Sequence, residues 1–212
     1  EKFAFGIEAK GQLWNYEETQ ELPEYDHEYF LVRSLVQYKF TRTSLLRLTL
    51  EKSSRRYGDR PSFDLDGTQQ IDNPTVRYDY LAAKLTARQR ITDSMWFGVD
   101  YERSERTDRY VAYNDYSRDS YGIEFHWSPG DRFELEAEGY YRIYDYPNAF
   151  AFHNPLTGPK THETAMGRIV GTFQMTKSLS LVAEGGYRGA ASTDTRIAYD
   201  RYQYVLGVRW QP

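Results

Sequence analysis

Along most of this chain, apolar and polar side chains alternate, and the pattern is clearest in the final stretch YQYVLGVRWQP. There Tyr202, Tyr204, Leu206, Val208 and Trp210 are apolar, and the residues between them are small or polar. A period of two places alternate side chains on opposite faces of an extended strand. The ending therefore predicts a strand with one apolar face and one polar face.

The same period of two recurs in ten segments, whereas the helical period of 3.6 residues is hardly seen. The predicted strands lie near residues 2–15, 27–41, 44–55, 75–90, 94–106, 118–128, 132–145, 162–175, 179–191 and 199–211. One segment is irregular, because its parity slips near Tyr80–Leu81. That slip indicates either a β-bulge or a different register.

The connections between these segments alternate in length. Tight turns at 41–44, 91–94, 128–131 and 176–178 are separated by longer polar loops, the first of them ETQELPEYDH at 18–27. Outer-membrane barrels are connected in this way, with short periplasmic turns and longer outside loops. This order predicts that both chain ends are periplasmic.

The predicted strands, roughly 12 to 15 residues each, are long enough to cross a bilayer, which takes about 9–11 residues at a tilt near 45°. Ordinary sheet strands average five or six residues. Aromatic residues also fall at two heights, as in the girdles of membrane barrels. Those beside the short turns include Phe40, Trp127, Phe133 and Trp210, and those nearer the long loops are Tyr101, Tyr121, Tyr141, Tyr187 and Tyr202.

Composition narrows the class of protein further. Aromatic residues make up 17% of the chain, 27% of residues are charged, and the mean hydropathy is −0.78. The net charge of −4, without a basic cluster, argues against nucleic acid as a partner. The absence of cysteine excludes disulfides and thiolate metal sites. A soluble lipocalin-like barrel or sandwich is the alternative fold, but it would bury the apolar face and leave charged residues at strand centres unexplained.

With these features the chain resembles the bacterial outer-membrane β-barrel superfamily. The ending YQYVLGVRWQP is similar to the C-terminal recognition strand of such barrels, although Gln211 and Pro212 follow the last aromatic residue. TDTRIAYDRYQYVLGVRW is similar to the last hairpin of barrels associated with exopolysaccharide export and of related porins. The resemblance implies an all-β, antiparallel up-and-down transmembrane barrel of about ten strands. It implies contact with outer-membrane lipids and lipopolysaccharide, insertion by the barrel-assembly machinery, and other envelope proteins as possible partners.

We treat residues 1–212 as a single barrel domain, which could also be the C-terminal part of a larger barrel. Charged residues on the polar face of the strands would line the lumen and set its preference for ions or solutes. These lumen-lining candidates are Arg33, Arg47, Arg88, Glu102, Glu124, Glu136 and Arg168. The first functional hypothesis is thus a porin-like channel or exporter component for ions, small solutes or polysaccharide. About ten strands enclose a narrow interior, so conduction would need gating or further strands.

Two other classes stay open. A non-conducting barrel could anchor envelope partners through loops 53–74 and 146–161, where Phe63, Phe150 and Phe152 would be exposed. An outer-membrane lipid-modifying enzyme could use His126, Ser128 and Glu124, a set that resembles the H-x-S pair of lipid A deacylases.

The enzyme hypothesis is the weakest of the three. Ser128 opens the turn SPGD on the predicted periplasmic side, where lipid A is absent. His153 and Asn154 suit a turn, Asp64 and Asp66 have no matching histidine, and DLDGTQQIDN lacks the closing glutamate of a calcium loop. We predict no catalytic residue, no metal site and no cofactor.

Overall fold

The computed structural model describes residues 2–15 and 26–210, so the predicted loop 18–27 lies almost entirely outside the described residues. Ten strands account for most of the described chain. They are β1 (Phe3–Trp14), β2 (His27–Lys39), β3 (Ser44–Pro61), β4 (Thr75–Thr92), β5 (Met95–Asp108), β6 (Tyr116–Trp127), β7 (Phe133–Phe150), β8 (Pro159–Gln174), β9 (Leu179–Ser192) and β10 (Tyr199–Trp210). Short 3-10 turns cover Ala151–His153, Pro155–Thr157 and Thr195–Ile197. In this part of the chain no helix is long and apolar enough to cross a membrane.

Every strand pairs antiparallel with the next one in sequence, so the ten strands form one sheet in the order β1 to β10. The predicted all-β up-and-down architecture is confirmed. Short connections at 40–43, 93–94, 128–132 and 175–178 gather at one end of the sheet. Longer connections at 62–74, 109–115, 151–158 and 193–198 gather at the other. We call these the short-turn end and the long-loop end.

Three strands extend further toward the long-loop end than predicted. β3 continues to Pro61, β7 continues to Phe150, and β8 already begins at Pro159. These extensions carry polar side chains at successive positions, as at Asp59 and Arg60. The apolar–polar alternation fades there because both faces meet water or other protein groups, so the sequence pattern shows only the apolar-faced part of each strand.

The β-bulge considered near Tyr80–Leu81 is not present in the described strand β4. The pairing of β4 with β3 and with β5 runs without interruption through these two residues. Register shifts occur instead between Arg56 and Pro61, Arg90 and Thr92, and Asp145 and Phe150. The apolar–polar alternation is interrupted in the sequence at this point because Tyr80, an aromatic residue, lies on the polar face of its strand.

The two faces of the sheet differ as predicted. Leu48, Phe97 and Ile123 are exposed on the apolar face. Few described residues are buried, and most of these lie at the long-loop end. The buried apolar residues are Leu31, Val76, Tyr78, Tyr113, Ala149 and Ala151. The apolar face at mid-strand is therefore not a protein core.

The first and last strands form the two edges of the sheet. Within the described residues β1 pairs with β2 alone, and β10 pairs with β9 alone. Leu13 on β1 and Leu206 on β10 are 83% and 84% exposed, against 41% for Leu48 and 39% for Phe97 on inner strands. The extra exposure marks the seam at which a barrel wall either closes on itself or is joined by further strands.

Candidate conduit lining

The polar face of the sheet carries a ladder of cross-strand ion pairs. On β2, Arg33 donates to Glu8 and to Glu51, with nitrogen–oxygen distances of 2.9 Å in both cases. On β8, Arg168 lies 2.9 Å from Glu184 and 3.6 Å from Glu138. Each arginine thus bridges the carboxylates of its two neighbouring strands, because residues opposite one another in an antiparallel sheet share a face.

One ion pair crosses an intervening strand. Arg88 on β4 donates from Nη2 to Glu124 Oε2 on β6 over 2.8 Å, passing over Gly98 on β5. The guanidinium also lies 3.9 Å from the ring centroid of Trp96. Side chains two strands apart approach one another more closely on the inner side of a curved sheet, and we call the ionic face the concave face.

All seven residues predicted to line the lumen lie on this ionic face, and of these seven only Arg88 and Glu124 pair with each other. Arg47 donates to the amide oxygen of Gln37 at 2.8 Å. Glu102 accepts from Arg118. Glu136 Oε1 lies 3.8 Å from Nδ1 of His126.

The mid-strand ladder is not sealed by packing. The side chains of Arg88 and Glu124 are each 37% exposed, and that of Arg168 is 42% exposed. An interior filled by side chains, as in the smallest barrels, would bury such groups. The concave face at this height therefore borders water-accessible space.

A second feature of the concave face, near the long-loop end, was missed by the sequence analysis. Basic side chains interleave with tyrosines on β3 to β8, and we call this set the cation–aromatic wall. Its basic members are Arg55, Arg60, Arg106, Arg118 and Lys160, and its tyrosines are Tyr57, Tyr78, Tyr116, Tyr144 and Tyr146. The signal was present as aromatic residues on the charged parity, at Tyr78, Tyr116 and Tyr144.

Arg106 lies at the centre of this wall. Its guanidinium is 4.5 Å from the ring centroid of Tyr78 and 4.4 Å from that of Tyr116. The same group donates from Nε to the carbonyl oxygen of Asn114 at 2.7 Å. Lys160 Nζ lies 4.8 Å from the ring of Tyr146. Cation–π contacts of this kind hold the charges in place without neutralising them.

Above the wall, parts of four long connections pack against one another, and we call this the loop cluster (62–69, 108–115, 149–157 and 194–196). Tyr113 is fully buried at its centre. The ring of Phe63 stacks on His153 at 4.4 Å between centroids, and Tyr113 Oη lies 3.2 Å from His153 Nδ1. Tyr113 Oη also accepts from the backbone N–H of Phe150 at 3.3 Å.

The backbone of the loop cluster is strained. Ala112, Phe152 and His153 have φ of 61°, 55° and 54°, in the left-handed region that non-glycine residues rarely occupy. Gly67 has φ 84°, and a Cβ there would lie 2.3 Å from the carbonyl oxygen of His153. Such strain persists only where surrounding contacts over-determine the conformation.

Two ionisable groups of the cluster have shifted pKa values. Burial lowers the pKa of His153, and the nearby charges of Lys160 and Arg196 lower it further. Asp194 has a strongly lowered pKa because its carboxylate accepts hydrogen bonds from the Arg196 side chain and backbone and from the Phe152 N–H. Neutral histidine and ionised aspartate are thus the forms that fit the folded loops.

Three aromatic residues of the long loops were predicted to be exposed, and the structure confirms this for one of them. Phe63 and Phe150 are half-buried in the loop cluster, so their predicted exposure is wrong. Phe152 is exposed, with Arg196 5.1 Å from its ring centroid. They were misplaced because the sequence does not show that separate loops contact one another. Within residues 26–210, the most exposed apolar loop residues are Ile71 and Leu156.

The aromatic residues predicted as girdles lie on the convex, apolar face. Tyr101, Tyr121 and Tyr141 stand directly opposite one another on β5, β6 and β7. Tyr187 opposes Tyr202, with ring centroids 5.2 Å apart. Near the short-turn end, Trp127 packs edge-on against Phe133 at 5.8 Å, and Phe40 and Trp210 are exposed.

The hydroxyls of three of these tyrosines bond to carboxylates on the long-loop side. Tyr101 donates to Asp119 at 2.6 Å, Tyr187 donates to Asp200 at 2.7 Å, and Tyr141 donates to Glu163. These carboxylates mark the height at which the convex face changes from apolar to polar. Tyrosine suits such a boundary, since its ring is apolar and its hydroxyl is not.

The residues considered for lipid hydrolysis do not form a nucleophile–base pair. Ser128 Oγ donates to the carbonyl oxygen of Gly130 at 3.5 Å within the turn. The imidazole of His126 stacks on Trp96 and faces Glu134 and Glu136, whose oxygens lie 3.7 and 3.8 Å from Nδ1. Among the described residues, His126, Glu134 and Glu136 are the one cluster of side chains that could bind a metal ion. Their ligand atoms lie within 4.8 Å of one another, and the two glutamates are exposed.

The loop carboxylates are engaged in local hydrogen bonds. Asp66 accepts from the backbone N–H and the hydroxyl of Thr68, and these bonds lower its pKa. Asp64 accepts from the side-chain amide of Asn73 at 3.1 Å. Both aspartates thus stabilise the turn in which they lie.

Comparison with known proteins gives similarity at the level of structure. No protein-family model matches the chain, and no curated protein matches it. Outer-membrane expressed OmpT of Vibrio cholerae superposes with a TM-score of 0.60 at 11% identity, covering 98% of this chain and 76% of that one. In-vitro folded OmpT, an outer membrane protein of Vibrio cholerae, gives 0.54 at 12% identity, and its loop L8 deletion mutant gives 0.57 at 12%.

The fold is that of a bacterial outer-membrane β-barrel. In barrels of this fold the outer face is apolar and meets lipid, and the inner face is polar and lines the lumen. The chain spans 63% and 62% of the length of the in-vitro folded OmpT and of its deletion mutant.

Proposed function

We propose that this outer-membrane barrel is a porin-like conduit, or the membrane component of an exporter, for ions or small solutes, polysaccharide included. The observation that carries the proposal is the ladder of half-exposed ion pairs on the concave face, centred on Arg88 and Glu124. Charged groups that keep contact with water at mid-strand height provide a path through which hydrated solutes can pass.

The direction of the barrel follows the usual arrangement of such proteins. Short turns and both chain ends would face the periplasm, and the long loops with the loop cluster would face outward. The convex face would contact outer-membrane lipids and lipopolysaccharide, and the last strand would be the segment engaged by the barrel-assembly machinery. In this orientation the loop cluster lies at the outer mouth of the conduit.

Conductance across a planar bilayer tests the proposal. Protein folded into detergent and added to the bilayer should give discrete, stable current steps. Replacing Arg88 with glutamine should shift the cation-to-anion permeability ratio toward cations, because it leaves Glu124 unpaired in the lumen. Arg103→Gln is the matched control, since Arg103 pairs with Asp119 on the convex face. The absence of current steps with correctly folded wild-type protein would refute the proposal.

A non-conducting anchoring barrel is the second candidate, and one observation favours it. Ile71 and Leu156, on two different long loops, are 96% and 93% exposed. Exposed apolar residues of this kind suit contact with another envelope protein. Co-purification that is lost in an Ile71→Ser, Leu156→Ser double variant, together with silent bilayers, would support this alternative over the conduit.

A further inference from the structure

We propose that the cation–aromatic wall is a binding site for organic oxyanions, solutes in which a carboxylate or phosphate is attached to a ring. The inference rests on the proposed conduit function only in that the site would lie on the solute path. The charge, the hydrogen bonding and the ring contacts of the wall itself support the proposed site.

The cations of the wall mostly lie beyond ion-pair distance of a carboxylate, with Asp194 near Lys160 and Asp115 near Arg106 at longer range. Among the described residues, Arg55, Arg60, Arg106 and Lys160 form no ion pair, and only Arg118 is paired, with Glu102. The mid-strand ladder differs, since Arg33, Arg88 and Arg168 each contact at least one carboxylate. Uncompensated cations near one another disfavour the empty state and favour an anion between them.

Several donors of the wall also lack an acceptor. Nε of Arg55, Arg60 and Arg118 is buried without a hydrogen-bond partner in the described structure. Buried donors without acceptors cost free energy, and an oxyanion supplies the missing lone pairs. Guanidinium groups bind carboxylate and phosphate oxygens with good geometry.

The tyrosines explain the preference for a solute with a ring. Tyr116 contacts Tyr144 edge-on at 5.3 Å, and Tyr144 stacks on Tyr146 at 6.1 Å between centroids. They form a continuous aromatic surface around the cations. A planar or ring-shaped solute can lie against such faces while its anionic group reaches a guanidinium.

The short-turn end of the concave face carries mixed charge. On β6 and β7 its side chains are mainly carboxylates, namely Glu124, Glu134, Glu136 and Glu138, whereas Lys39, Arg47, Arg88 and Arg90 lie on β2 to β4. The wall differs because most of its cations have no carboxylate at ion-pair distance. An anion therefore meets fewer competing carboxylates at the wall.

Isothermal titration calorimetry of the protein in detergent micelles measures binding to the site, whether or not the barrel conducts. Benzoate is the probe, benzamide is its neutral counterpart, and inorganic phosphate tests whether the ring contributes. The variants are Lys160→Gln and the double variant Arg60→Gln, Lys160→Gln. Lys177→Gln in a short turn and Arg103→Gln on the convex face remove the same charges elsewhere.

Wild-type protein should bind benzoate more tightly than phosphate and should not bind benzamide measurably. Lys160→Gln should weaken benzoate binding several-fold and the double variant by about tenfold or more, whereas both controls should bind as wild type. Circular dichroism verifies that each variant is folded. Failure of the folded wild type to bind benzoate, or equal affinity in wild type and the folded double variant, would overturn the proposal.

The titration and the bilayer experiment test the two proposals independently. Benzoate binding in micelles, together with no current across bilayers, would support the site and refute conduction. Current steps without benzoate binding would do the reverse.

Discussion

The guanidinium of Arg88 on β4 reaches the carboxylate of Glu124 on β6 at 2.8 Å, bridging the strand between them. Gly98 presents no side chain beneath the bridge, and the nearest oxygen of Glu124 lies 3.6 Å from where its Cβ would be, which is an ordinary contact distance. The pair ties three strands together on the concave face.

A double-mutant cycle on this pair should give a small coupling energy. Both side chains are 37% exposed, and exposed ion pairs are worth about 0.2–1 kcal/mol. Arg88→Gln, Glu124→Gln and the double variant would be unfolded with urea from lipid vesicles at low and high salt. Coupling that falls with salt agrees with a water-exposed pair. Coupling of several kcal/mol that salt does not change would show that the lumen is dry.

The sequence was sufficient for the strands because lipid contact imposes a strict period of two. Phe97, Val99 and Tyr101 alternate with lumen residues across the full apolar height, so strand, face and order could all be predicted. The same rule explains the errors. Beyond the girdle no lipid face exists, so the added lengths of β3 and β7 have no hydrophobic signature.

The cation–aromatic wall and the loop cluster could not be predicted for a different reason. Both depend on which loops and strands meet at the long-loop end. Phe63 and His153 are distant in sequence and lie on separate loops, yet they stack. No local pattern around either residue encodes that contact. The seven lumen candidates could be assigned to one common face because that depends on parity alone, but their individual partners depend on the register.

Gly67→Ala should loosen the loop cluster and leave the barrel intact. A Cβ at this position would meet the carbonyl oxygen of His153 at 2.3 Å, and φ of 84° disfavours any side chain. We expect a local cost of about 1–3 kcal/mol. Limited proteolysis of protein in micelles should show faster cleavage in the loops, with unchanged strand content by circular dichroism.

Gly58→Ala is the control for this variant, since an added Cβ there meets nothing within 4 Å. Equal protease resistance in Gly67→Ala and wild type would contradict the described packing of these loops.

The loop cluster should open as the pH falls from 7.5 to 5. Burial lowers the pKa of His153 below its ordinary value of 6.5, so the folded loops favour the neutral ring. Stability is then highest above pH 6.5 and decreases as pH falls through 6.5 toward the lowered value, because the unfolded loop takes up the proton first. Lys160, Arg196 and Arg60 oppose protonation, and Asp194 favours it.

Loop cleavage rates measured across this range test that sign. Asp194 has a lowered pKa and stays ionised at pH 5, so its contribution should not change there. His153→Asn removes the titrating group and tolerates positive φ. The pH dependence should disappear in this variant, and its persistence would mean that another group is responsible.

A charge placed on the convex face should destabilise the barrel far more than one placed on the concave face. Val99 lies between Ala87 and Ile123 in the apolar band, and Val99→Arg should cost about 2–4 kcal/mol in a bilayer. Thr86→Arg is the matched control, because Thr86 lies opposite Asp100 on the lumen side. Urea unfolding from lipid vesicles measures both. Equal costs would argue against a lipid-facing Val99.

The most direct test of the orientation uses single cysteines, which the native chain lacks. Residues 97 to 102 of β5 would be replaced one at a time, spin-labelled in lipid vesicles, and exposed to oxygen and to a water-soluble nickel chelate. Labels at 97, 99 and 101 should collide mainly with oxygen, and labels at 98, 100 and 102 mainly with nickel. The reverse alternation, or none, would contradict a barrel whose apolar face meets lipid and whose ionic face meets water.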